Sequence, residues 1–223
     1  MGGRGIGSAT ARTGAAQARG FTIDPNAGYQ KISTGMAPND ALDMAADQIK
    51  DLDHEMSVLI APDGTMYVSK GDGGSVRPPF QEAAQDMWFG DNLISLHNHP
   101  AGSDRTFGGP SSDSDWNVMI RKGLSESHIS AIEGRYKMKI TDPSKIDKAK
   151  AFFSKTKKSK YGFLVGKQSN YTKNSRKAFD SGDYESSTDG YLKANMDTLK
   201  KFGKRYGFEL EFQPNPGWEN LYK

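Results

Sequence analysis

Residues 93–115, LISLHNHPAGSDRTFGGPSSDSD, order the fold and carry the residues that suggest a chemistry. The apolar run Leu93-Ile94-Ser95-Leu96 predicts a buried strand. Side chains alternate faces along a strand, so His97 and His99 point the same way. Two imidazoles side by side are a ready pair of metal ligands. Pro100 and Gly102 stop the strand, and a glycine-rich loop runs to Pro110. Ser111 or Ser112 is placed to cap a helix whose first turn carries Asp113 and Asp115. Two histidines plus one carboxylate leave a position of a tetrahedral zinc open to water, which is the composition of a catalytic rather than a closed structural site. The plainer reading is that the histidines merely finish a strand. Against it, two of the chain's four histidines fall within three residues at the end of one apolar run.

Composition narrows the alternatives. With 223 residues the chain has room for one medium domain with appendages and a sizeable core. It has no cysteine, which excludes disulfides and thiolate zinc sites, so any zinc is held by histidine and carboxylate. The 30 basic residues exceed the 27 acidic ones by only three, a balance that does not by itself imply nucleic acid. Mean hydropathy is −0.72, no apolar run approaches membrane-spanning length, and the N-terminus lacks an apolar signal-peptide core. The expectation is a soluble, cytoplasmic protein.

Outward from the central stretch, residues 1–36 are rich in Gly, Ala, Arg, Ser and Thr and read as a flexible basic arm. From Pro38 onward, Asn39 or Asp40 can cap a helix with Leu42, Ala45, Ala46 and Ile49 on one face. A strand then opens at Glu55, turns at Pro62-Asp63-Gly64 and returns over 65–68; a short helix over 80–88 follows. After the 113–122 helix, two strands flank Gly134 and a further helix starts at Pro143. The lysine-rich tract 154–160 marks a candidate boundary, beyond which residues 191–206 predict a basic helix and 208–212 a half-buried strand. Together these predict an α/β domain over residues 37–150, a mixed sheet flanked by helices, with a C-terminal helix–strand accessory segment over 151–223. The lysines of 155–160, with Tyr161, Phe163, Tyr171 and Tyr191 near them, are read as solvated surface rather than as a nucleic-acid face.

The order Glu55, then His97-Asn98-His99-Pro100, then Ser112-Asp113-Ser114-Asp115 resembles the JAMM (MPN+/JAB) metallopeptidase family. The Asn-Pro context is closest to its RadC-like and phage-type members. The resemblance covers roughly residues 40–145, and one departure stands out: twelve residues separate His99 from Ser112, a longer loop than the family usually has. It implies a JAMM/MPN-like fold and a zinc held by His97, His99 and Asp115. It also implies that Glu55 is no ligand but the base that takes a proton from the activated water and passes it to the leaving amine. Ser112 would donate a hydrogen bond to the tetrahedral oxyanion. Because that role competes with capping, Ser111 is expected to cap while Ser112 serves chemistry. Asp113 and Asp115 project about 200° apart on a helix, so only one can face the histidines; Ser112 and Asp115, three apart, share a face. His54 and His128 are at most reserve ligands. Alone, a glutamate at a strand start is usually surface.

The implied function is zinc-dependent hydrolysis of a peptide or isopeptide bond in a peptide or protein substrate such as a ubiquitin-like tail, a phage protein or a cell-wall peptide. The rival is an inert MPN-type interaction or assembly module, phage-borne in one version. An HNH nuclease is excluded because that name describes three residues scattered over a ββα unit. A barrel metallohydrolase needs further histidines downstream, where only His128 remains. Neither a nucleic-acid nor a membrane partner is expected, and the oligomeric state is open.

Overall fold

Alternating and apolar runs assemble into one sheet in the computed structural model, which describes residues 20–72, 75–101, 108–153, 156–158, 164–166, 176–177, 180–182 and 188–223. In chain order the elements are β1 (Tyr29–Ser33), α1 (Pro38–Ile49), β2 (Met56–Ile60), β3 (Thr65–Lys70), α2 (Phe80–Gln85), β4 (Ile94–Asn98), α3 (Asp113–Lys122), β5 (Glu126–Ala131), β6 (Gly134–Ile140), α4 (Ile146–Phe153), β7 (Thr156–Lys158), β8 (Leu164–Gly166), α5 (Thr188–Tyr206) and β9 (Phe208–Pro214). Seven strands form one mixed sheet in the order β1-β3-β2-β4-β5-β6-β9, and β7 and β8 pair separately. Among the described strands only β4 and β5 run parallel, joined by α3 as crossover.

The two faces of the sheet bury different helices. On one, Ala41, Leu42, Ala45 and Ile49 of α1 pack against Val58, Ile60 and Leu96. On the other, Trp116, Met119 and Ile120 of α3 and Met196 and Leu199 of α5 pack against Leu59, Ile129, Tyr136 and Leu210. Every residue of β2 is buried, as expected of a strand covered on both faces.

Three expectations change. Strand β1 lies inside the stretch read as a flexible arm; residues 1–19 are outside the described residues. Its YQKIS pattern belongs to a half-buried edge strand, with no residue fully buried to signal it. The N-cap position of α1 is Ala37, with no side-chain cap, and not Asn39 or Asp40, because Pro38 takes the first helical position, where its missing N–H costs nothing. The C-terminal helix and strand, read as accessory, contribute α5 to the shared core and β9 as the seventh strand, paired with β6 from Ile140↔Phe208 to Gly134↔Pro214. Within the lysine-rich tract, residues 156–158 form β7; Tyr161, Phe163 and Tyr171 lie outside the described residues. No helix among the described residues is long and apolar enough to cross a membrane.

Candidate metal centre

Strand β4 delivers the histidines. Residues 94–97 pair with β2 on one side, and β5 continues the pairing on the other as far as the His99 N–H, which donates to the Ser130 carbonyl at 3.0 Å. His97 and His99 therefore share the face that α3 covers. Their Nε2 atoms lie 3.1 Å apart. Asp115, in the first turn of α3, brings one carboxylate oxygen to 3.3 Å from His97 Nε2 and the other to 3.6 Å from His99 Nε2. Donors at ~2.0–2.1 Å from a common zinc in a tetrahedron are about 3.3–3.4 Å apart, a spacing close to that between the two nitrogens and to that between His97 and its nearer Asp115 oxygen. These residues form a group that could hold a metal ion.

The proton positions agree with that fit. His99 Nδ1 lies 3.1 Å from the Gly109 carbonyl, which can only accept, so Nδ1 carries the proton and Nε2 presents its lone pair. Burial opposes a charged His99, but the Asp115 carboxylate, with Gly109 and Glu55 behind it, raises its pKa above the ordinary value. Burial likewise pushes the Asp115 carboxyl up, yet His97 and His99 together hold it well below the usual carboxylate range. A cation between the nitrogens and the carboxylate would replace the proton they otherwise share.

Ser112, not Ser111, caps α3. The Ser112 backbone N–H and hydroxyl donate to one Asp115 oxygen at 2.6 and 2.7 Å, and the Asp115 N–H donates back to the hydroxyl at 3.4 Å. The hydroxyl proton thus sits on the carboxylate, while the buried Ser111 hydroxyl has no partner among the described residues. The twelve-residue loop does not keep Ser112 and Asp115 from the histidines. The Asp113 side chain is outside the described residues.

Glu55 lines the same cavity of about 410 Å3 as His97, His99, Ser112 and Asp115. Burial raises its pKa, partly opposed by the two histidines and assisted by Asp115 and Asp72. The structure therefore brings together all five residues singled out from the sequence. It separates the two other histidines: His54 bonds Asp53 and the Pro25 carbonyl, and His128 bonds Glu126.

Sequence reasoning missed Asn98. Lying between the two histidines, it points to the opposite face and is fully buried. Its amide oxygen accepts from the Met56 N–H at 2.6 Å, and its amide nitrogen donates to the His54 carbonyl at 2.9 Å. The residue between these two groups is Glu55, so β4 itself, the strand that carries the histidines, holds the backbone of Glu55. The available signal was the alternation that sends the middle residue of H-N-H away from its neighbours. No family model, curated protein or solved structure matches the chain.

Proposed function

We propose that this protein is a zinc-dependent hydrolase of peptide or isopeptide bonds, built on a JAMM/MPN-like α/β domain. The observation that carries the reading is the close grouping of His97, His99 and Asp115, whose ligand atoms lie within 4.8 Å of one another, with Glu55 in the same cavity. Bound zinc supplies Lewis-acid chemistry, polarising a carbonyl and lowering the pKa of water toward ~7. The chain's own residues supply the rest. Asp115 and the two histidines offer three ligands, and with no cysteine in the chain the donor set is the mixed nitrogen and oxygen set of hydrolytic zinc sites. Glu55, its carboxyl pushed up by burial, takes the proton from the attacking water at its carboxylate and delivers it to the departing amine nitrogen.

The walls of the cavity fit an internal bond. Its described lining includes Ser75, Val76, Pro78, Ser95, Val118 and Ser127 but no lysine or arginine. Among the described lining residues a free C-terminal carboxylate would find no basic side chain, whereas an uncharged backbone or an isopeptide arm meets small neutral side chains beside the proposed site. The rival reading is a metal-holding assembly module without turnover. It draws on the Ser112 hydroxyl, whose proton is committed to Asp115 rather than pointed at an oxyanion.

One experiment separates the two. Zinc-loaded protein is incubated with a peptide and isopeptide library beside Glu55→Gln. Cleavage by wild type, lost by orders of magnitude in a folded, zinc-replete Glu55→Gln, supports the hydrolase. Equal cleavage by both removes Glu55 from the chemistry, and no cleavage by either favours the assembly module.

A further inference from the structure

Glu133 sits in the two-residue turn between β5 and β6, a place where a glutamate normally faces water, yet it is fully buried. Burying a carboxylate is costly unless its oxygens are satisfied. Here they are. One oxygen accepts from the Gly108 N–H at 2.9 Å; the other accepts from the Gly109 N–H at 2.6 Å and from the Tyr136 hydroxyl at 2.9 Å. Since that hydroxyl gives its proton to Glu133, the 2.7 Å contact with Tyr222 runs from the Tyr222 hydroxyl to the Tyr136 oxygen. The backbone of the turn is tied as well: the Asn215 N–H donates to the Glu133 carbonyl at 3.0 Å, and the Asn215 amide donates to the Ala131 and Ile132 carbonyls.

The two glycines that Glu133 holds are the far end of the glycine-rich loop, and each is glycine for a separate reason. A Cβ on Gly108 would collide with the His99 carbonyl and the Ala131 side chain, so the chain passes directly over the metal strand. Gly109 has φ +83°, in the left-handed region that favours glycine. That conformation presents its N–H to Glu133 while its carbonyl accepts from His99 Nδ1.

We infer that Glu133 is a positioning residue for the metal centre: through Gly109 it fixes which nitrogen of His99 is protonated and where the lone pair of the other points. The chain of contacts runs from Tyr222 through Tyr136, Glu133 and the backbone of Gly109 to His99. It continues the logic by which a metal-bound histidine is oriented by an acceptor at its other nitrogen, one step further out. A carboxylate suits this task better than a neutral amide because it accepts at both oxygens and anchors both glycine N–H groups at once. The inference rests on the metal reading of His97, His99 and Asp115, not on hydrolysis.

The test compares wild type with Glu133→Gln, which preserves shape but turns one acceptor into a donor facing an N–H. In metal-free protein at alkaline pH, nitrogen-15 NMR of the imidazoles reads the His99 tautomer. Wild type is expected to carry the proton on Nδ1, and the variant to show a mixture. Zinc titration of the same samples is expected to show a 10–100-fold loss of affinity in the variant. A folded Glu133→Gln with an unchanged tautomer and unchanged zinc affinity overturns the proposal. If the variant does not fold, amide exchange in metal-free wild type decides: Gly108 and Gly109 are expected to be protected, and exchange at open-loop rates overturns it. A wild type that binds no zinc removes the metal reading on which the positioning role rests, whereas a zinc-binding wild type whose tautomer and affinity are unchanged in the variant overturns this inference alone.

Discussion

Asp115 performs two tasks with one carboxylate. One oxygen takes both hydrogen bonds from Ser112 and closes the capping box, leaving the other turned toward His97. Asp115→Ala is therefore expected to abolish tight zinc binding and also to destabilise the metal-free protein by about 1 kcal/mol through the lost cap. Thermal unfolding of the metal-free variant checks the second effect; an unchanged melting temperature would show that the cap contributes nothing. The histidine pair was legible at this scale because strand alternation puts i and i+2 on one face, and Asp115 because Ser112 and Asp115 share a helix face. The choice between Ser111 and Ser112 as cap was not legible, since adjacent serines have the same intrinsic preference and tertiary placement decides. Glu133 was hidden in a turn, where local pattern gives no hint that a carboxylate is folded inward.

Among the elements, β4 organises its neighbours. It pairs with β2 and β5, places its histidines toward α3, and clasps the backbone around Glu55 with Asn98. Asn98→Ala leaves a buried N–H and carbonyl without partners, at a cost of roughly 1–3 kcal/mol each. The expected outcome is a lower urea midpoint together with reduced hydrolysis at retained zinc content; stability loss with full hydrolysis would show that Asn98 does not position Glu55. On the opposite face, β5 and β6 carry a separate charged group. His128 donates to Glu126, Lys137 pairs with it at 3.1 Å, and these partners lower its pKa from the ordinary 4.5 to about 2 against the opposing effect of burial. A carboxyl with a depressed folded pKa contributes stability that is present above its unfolded value and lost as pH falls. The window is thus from about pH 4.5 down to about pH 2, and its size is on the order of 3 kcal/mol. Glu126→Gln should flatten the fall of the urea midpoint across that window; an equally steep fall would assign the acid sensitivity elsewhere. The central strands and helices were legible from periodicity, whereas β1 escaped because an edge strand needs only intermittent cover.

For the whole molecule, the arrangement is one mixed sheet with a core on each face, and the C-terminal α5 and β9 belong to it. Leu199 of α5 packs in the same core as Trp116 and Met119 of α3. Leu199→Ala is expected to cost about 2–5 kcal/mol and to lower a single cooperative transition. Two separated transitions, with only the later residues affected, would restore the C-terminal part to the status of an independent appendage. Composition could not reveal this continuity. The lysine-rich tract between α4 and α5 has the character of a linker, and long-range pairing of β9 with β6 across it leaves no local trace.

The central claim is that His97, His99 and Asp115 hold one zinc in a site with an open position. X-ray absorption spectroscopy of the zinc-loaded protein tests it most directly. The account predicts one zinc per chain, about four nitrogen or oxygen neighbours at ~2.0–2.1 Å, and outer-shell scattering from two imidazoles. A spectrum showing three or more imidazoles, or a six-coordinate shell without imidazole scattering, would contradict it.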